Sequence, residues 1–236
     1  MAIRYSTGLR NALLGGKKSL TASTISLNAS GNVLADSGNG LKFLLPGDVI
    51  VVAGAAQSGN NRDWKVATVA PDGSQVTLDA APTTESAGAS ITVALANSRS
   101  FKDLFRYGVM EWRTGEQPES ADHAETGEKL LRITLNSGAF SPGNPLNGLE
   151  FEDEPTEGVL EKAAAQIWSG LGLANGSARN FRFYDNRYET GASTTAIRFD
   201  GSIGIAGANA KVGKTEVTAG RAQYVNSMKI VMPQEG

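Results

Sequence analysis

The stretch most suggestive of chemistry is Gly207-Ala208-Asn209-Ala210-Lys211-Val212-Gly213-Lys214-Thr215, where Gly-Lys-Thr follows an upstream glycine as in a phosphate-binding loop. Such a loop needs four residues between its glycines so that successive N–H groups converge on the phosphates; here there are five, and no long helix is predicted after Thr215. Nucleotide binding is therefore not expected. The acidic run Glu150, Glu152, Asp153, Glu154 and Glu157 offers enough oxygens for a calcium ion. It lacks the regular spacing and the glycine of a calcium loop and contains Pro155, so it reads better as a solvated loop. Paired carboxylates for glycoside hydrolysis could come from this run or from Asp185, Glu189 and Asp200, but the sequence does not set their separation. His123 lies in the polar stretch Glu119-Ser120-Ala121-Asp122-His123-Ala124-Glu125, and with no Gly-x-Ser-x-Gly pattern in the chain it reads as a surface histidine.

Asn180-Phe181-Arg182-Phe183-Tyr184-Asp185-Asn186-Arg187-Tyr188 interleaves aromatic and basic residues, a mixture that can stack and clamp single-stranded nucleic acid. Its alternation has strand period, which puts Phe181 and Phe183 on one face and Arg182 and Tyr184 on the other. A core face backed by a solvent face accounts for the pattern without a ligand. Arg182, Tyr184, Arg187 and Tyr188 are accordingly the candidate residues for a glycan or subunit contact. Trp64, Trp112 and Trp168 sit in strand-like surroundings and are expected to anchor cores.

The composition narrows the function classes further. None of the 236 residues is cysteine and one is histidine, which removes thiol nucleophiles, disulfides and cysteine-ligated metals and leaves little acid–base or metal chemistry. No cofactor is expected. A net charge of −2 provides no basic field for nucleic acid or an anionic membrane, and no sequence-specific nucleic-acid partner is expected. No apolar run reaches the length of a signal peptide or a membrane span, so a soluble chain made in a cytoplasm is expected, with no membrane partner.

These residues need elements to hold them. Ser6-Thr7 before Gly8–Leu14 reads as an N-cap and short helix ended by Gly15-Gly16, within a basic arm of residues 1–18 that carries Arg4, Arg10, Lys17 and Lys18. The arm either docks on its own domain or reaches a neighbouring subunit. From 19 to 98 short strands are expected at Thr24–Leu27, Leu41–Leu45, Asp48–Ala53, Trp64–Ala70, Gln75–Leu78 and Ser90–Ala96, a small barrel or sandwich, with Pro71-Asp72-Gly73-Ser74 as a hairpin turn. Ser100 then caps a helix through Arg106, and the remainder is again strands: Gly108–Arg113, Leu130–Leu135, Gln166–Leu173, Asn180–Tyr184, Thr195–Phe199 and Met228–Met232. The expected fold is all-β, with a few short helices. Two β-rich domains are expected, 19–98 being inserted near the start of a sandwich-like body made of 1–18 and 99–236.

Met1-Ala2-Ile3-Arg4-Tyr5-Ser6-Thr7-Gly8-Leu9-Arg10-Asn11-Ala12-Leu13-Leu14 and Phe101-Lys102-Asp103-Leu104-Phe105-Arg106-Tyr107-Gly108-Val109 resemble a group of small structural proteins in the virions of tailed bacteriophages. The stretches 115–122, 135–140, 180–186 and 200–204 extend the resemblance, which covers residues 1–14 and about 100–232. Residues 19–98 are similar to the small β domains inserted in phage head and tail proteins. The resemblance implies a non-enzymatic virion part made in a bacterial cytoplasm, with partners among itself as a symmetric homo-oligomer and other virion proteins (portal or neck, tail, major capsid protein). A neck or tail position is the first expectation, with capsid decoration and a carbohydrate- or receptor-binding module as alternatives. A repeated interface could join the basic arm Arg4, Arg10, Lys17 and Lys18 to a neighbour's Glu150, Glu152, Asp153, Glu154 and Glu157.

Overall fold

A computed structural model describes residues 3–16 and 18–231. It is an all-β protein, with two short α-helices among the described residues. Contacts divide it into two compact units. One comprises the residues up to Leu14, Ser100–Phe140 and everything from Leu146; the other comprises Gly15–Arg99 with Ser141–Pro145.

In the second unit the strands Ser19–Ala22, Ile91–Leu95, Val49–Ala53, Asp63–Val69, Gln75–Leu78, Val33–Asp36 and Ile25–Asn28 are hydrogen-bonded in that order, all antiparallel. The two edge strands are separated in the chain only by Ser23-Thr24, so the sheet must curl back on itself in the manner of a small barrel. Strict alternation gives the sheet one apolar face to enclose. In Val49–Ala53, Ile50 and Val52 are buried while Val49, Val51 and Ala53 are exposed, and the inward residues join Leu27, Leu34, Trp64 and Val93 in one core. Ser141–Pro145 belongs here because the Val69 N–H donates to the Gly143 carbonyl at 2.8 Å.

Leu41–Leu45, expected as a strand, is a 3-10 turn over Gly40–Phe43 with Leu41, Leu44 and Leu45 buried. The Asp36 carboxylate accepts the N–H groups of Gly38 (3.1 Å) and Gly40 (2.7 Å), and Asn39 takes a left-handed φ of 56°, so the chain is coiled before it can extend. The hairpin at 71–74 forms with Gly73 at φ +76° and its N–H on the Ala70 carbonyl at 2.8 Å. A Cβ on Gly73 would lie 2.4 Å from Lys42 Cγ and 2.7 Å from Lys42 N. Gly73→Ala is therefore expected to destabilise this unit by about 1–3 kcal/mol, through strain and crowding together, read as a fall in its melting temperature.

The first unit is built on an eight-stranded sheet: Arg4–Tyr5, Arg198–Gly204, Asn180–Tyr184, Val109–Arg113, Lys129–Leu135, Trp168–Leu171 and Ala222–Val225 in order, with Ala210–Lys211 parallel to Arg198–Gly204. Strand alternation gives it one apolar face, carrying Met110, Trp112, Leu131, Ile133, Phe181, Phe183 and Phe199. The helix Thr7–Leu13, capped by the Ser6 hydroxyl accepting from Leu9 N–H at 3.1 Å, and the helix Phe101–Leu104, closed by a Ser100/Asp103 capping box, bury Leu9, Phe101, Leu104 and Phe105 against that face. Phe151, Leu160 and Ile230, from the segment 150–161 and its antiparallel partner Lys229–Val231, complete the layer.

The strand expected at Thr195–Phe199 lies at Arg198–Gly204. Asp200-Gly201 has the look of a turn, yet Gly201 is inside the strand because the Phe181 ring lies where its Cβ would be, 2.5 Å away. The start of the arm docks on the larger unit, since Arg4 and Tyr5 pair with Asp200 and Phe199, whereas Gly15, Gly16 and Lys18 belong to the other unit. Lys17 and Met232 lie outside the described residues.

Candidate functional site

The opposite face of the same sheet is ionic. Arg4, Asp200, Arg182, Glu111 and Arg132 stand directly opposite one another on five neighbouring strands, alternating in sign across the sheet. Arg182 grips Asp200 with Nε on Oδ1 at 2.6 Å and Nη2 on Oδ2 at 2.7 Å, and its Nη1 donates to Glu125 Oε1 and to the His123 carbonyl, both at 3.0 Å. Arg198 donates to the carbonyls of Ala121 (2.6 Å), Glu189 (3.0 Å) and Asp122 (3.2 Å). Two guanidinium groups thus tie down the residues around 121–125 that cover this face.

The solvent-facing placement expected for Arg182 and Tyr184 is corrected. Both are buried, because the covering segments give the guanidinium its carboxylates and carbonyls, and give the Tyr184 hydroxyl Glu125 Oε1 as acceptor at 2.7 Å. Neither can touch a glycan or a neighbouring subunit from there. Arg187 is half-buried and paired with Asp185 at 2.7 Å; Tyr188 is half-buried and donates to Glu111 Oε1 at 2.6 Å. Asp185 and Asp200, considered above for hydrolysis, are each held by an arginine. His123 is exposed, and the three tryptophans are core residues.

Burial would raise the Glu111 pKa, but the Tyr188 hydrogen bond and the charges of Lys129 and Arg113 outweigh it and hold the carboxyl below its ordinary value. Glu125 is likewise held low against burial, by the Tyr184 hydroxyl, backbone N–H groups and Arg182. Burial and the Glu111 contact push the Tyr188 phenol up to about 12. A carboxyl whose pKa is lower folded than unfolded stabilises the fold above the unfolded value and loses that contribution as pH falls through the folded one. Urea midpoints of this unit are therefore expected to fall steadily once pH drops below about 4.5, the ordinary value for both groups, and Glu111→Gln should flatten that decline.

The remaining candidates are scattered. Arg4 is turned into the ionic row and donates to the Gln117 carbonyl at 3.0 Å, because its strand pairs with the sheet, so at this residue the arm docks on its own unit. Arg10 is exposed beside Thr7, and Lys18 is exposed on Ser98. Glu150 is half-buried on Gln166, with burial raising its pKa, while Asp153, Glu154 and Glu157 are exposed and Asp153 pairs with Lys102 at 3.3 Å. Among the described residues no cluster of three acidic or histidine side chains is arranged to hold a metal. The segment 207–215 contains a short strand, and among the described residues no helix follows Thr215.

One feature escaped sequence reading. Beyond Arg132 the ionic face opens into a groove of about 370 Å³ lined by Lys129, Arg132, Thr134, Ser137, Phe140, Leu171 and Leu173 among others. Glu111, fully buried opposite Arg132 on the neighbouring strand, is contacted by three cations, Arg113 (2.8 Å), Lys129 (3.2 Å) and Arg132 (3.1 Å). The Arg132 guanidinium also lies over the Tyr188 ring, 4.4 Å from its centre. The available signal was Gln166–Leu173, where apolar residues fall on both faces of a strand. Comparison of the chain with protein-family models, with curated proteins and with solved structures found no match.

Proposed function

We propose that this chain is a non-enzymatic structural part of a tailed-bacteriophage virion, self-assembling at the neck or tail and contacting other virion proteins. The virion reading rests on the sequence resemblance at 1–14 and 100–232. The observation that carries contact as the work of the fold is an apolar outer face at the free edge of the larger sheet. Ile167, Leu171 and Leu173 alternate onto that face from one strand, Tyr224 joins them from the edge strand, and these four side chains are 52–60% exposed. An edge strand with large apolar neighbours left in water invites a partner. By contrast the ionisable groups of the sheet are engaged in holding it together.

Cryo-electron microscopy of the intact phage particle tests the reading. Density for this fold around the portal axis or along the tail is the expected result. Density over the capsid lattice would make it a decoration protein, and absence from the particle would overturn the structural role.

A further inference from the structure

We infer that the groove beside Lys129 and Arg132 receives the acidic segment Glu150–Glu157 of a second copy of this chain; the inference rests on the self-assembly proposed above. Two cations, Lys129 and Arg132, line the groove, and no carboxylate is among its lining residues. An incoming carboxylate could draw on Lys129 and Arg132 without stranding Glu111, which keeps Arg113 and the Tyr188 hydroxyl. The groove wall formed by Leu171, Leu173 and Phe140 offers apolar area of the kind that a segment with Pro155 and Thr156 can cover. The segment is correspondingly presented: Asp153 has 96% of its side chain in solvent, and Glu154 and Glu157 are exposed. Arg10 and Lys18 of the arm are exposed as well, with Leu13 and Leu14 exposed beside Arg10, but they do not line this groove.

The donor must come from another molecule. Phe151 packs on Trp168 and Phe183 at 5.5 Å, which fixes the acidic segment to the apolar side of the sheet, whereas Glu111 and Arg132 face the other side. Donor and acceptor surfaces lie on opposite sides of one sheet, so the contact is head-to-tail, and repetition yields a closed ring or an open stack rather than an isologous dimer.

The test is sedimentation of the full chain and of two charge-reversed forms, Lys129→Glu and the double variant Glu154→Lys/Glu157→Lys. Each variant alone is expected to associate about tenfold more weakly than the unaltered chain, or worse. An equimolar mixture of the two should regain assembly, since reversed groove then meets reversed segment; a misfolded variant could not be rescued in this way. Arg10→Glu is expected to assemble normally. A monomeric unaltered chain overturns the inference, as does loss of assembly in Arg10→Glu with normal assembly of Lys129→Glu. Unchanged assembly in both charge-reversed forms refutes this contact but leaves the virion role intact, which falls only if the chain is missing from the particle.

Discussion

Arg182→Met is expected to destabilise the larger unit by about 3–5 kcal/mol, the loss associated with removing one partner of a buried ion pair. Asp200, whose carboxylate is fully buried, would lose both of its short arginine hydrogen bonds, and Glu125 would lose its closest cation. The desolvation already suffered by those carboxylates would then go uncompensated. Urea unfolding followed by tryptophan fluorescence reads the effect, because Trp112 and Trp168 are both in this unit's core. Arg182→Met combined with Asp200→Leu should recover a substantial part of the loss, since neutral partners of similar volume leave less unpaired charge behind. A loss under about 1 kcal/mol for the single variant would mean that the pair behaves like an exposed one, and would remove the argument that it holds the covering segments in place.

Phe199→Ala is expected to have an effect of similar size, about 3–5 kcal/mol, from a different cause. Its ring stacks on Phe183 at 5.3 Å and meets Phe101, Phe105 and Phe181 at 5.6, 4.9 and 6.0 Å, with Tyr5 at 6.5 Å. Truncation would leave a cavity bounded by the sheet and by both helices, which rigid rings from several directions cannot collapse to fill. Phe199→Leu keeps most of the volume and should lose less than half as much. If both variants lost the same amount, the edge-to-face geometry rather than filled space would be the larger contribution.

Much of the framework could be read from local pattern. Ser6 and Ser100 cap the helices that their spacing predicts, and the strand at Asn180–Tyr184 has the predicted bounds. Two four-residue strands, Ser19–Ala22 and Val33–Asp36, are too short for their alternation to be found alone and exist because their neighbours supply ladder partners. The ionic face shows where sequence reading stops. Period two correctly separates Phe181 from Arg182, but whether the polar side meets water depends on a covering segment some 57–59 residues away in sequence. A solvent face and a buried ion-pair ladder have the same alternation. The groove was hidden for the same reason, being assembled from residues on two strands and the connection between them.

The alternating row from Arg4 to Arg132 also bears on how the chain must fold. Its outermost pairing joins residues near the start of the sequence to residues near 200, and the neighbouring Ser6–Arg198 hydrogen bond spans 192 positions. Such a closure has a large loop entropy to overcome and is expected to form late, once the middle of the sheet is in place. Register in that sheet is checked strand by strand: a one-residue slip would turn an arginine or a carboxylate into the aromatic core. Late closure combined with strict checking of register means that a misthreaded sheet fails before its edge strand is joined, and leaves apolar surface exposed to aggregation.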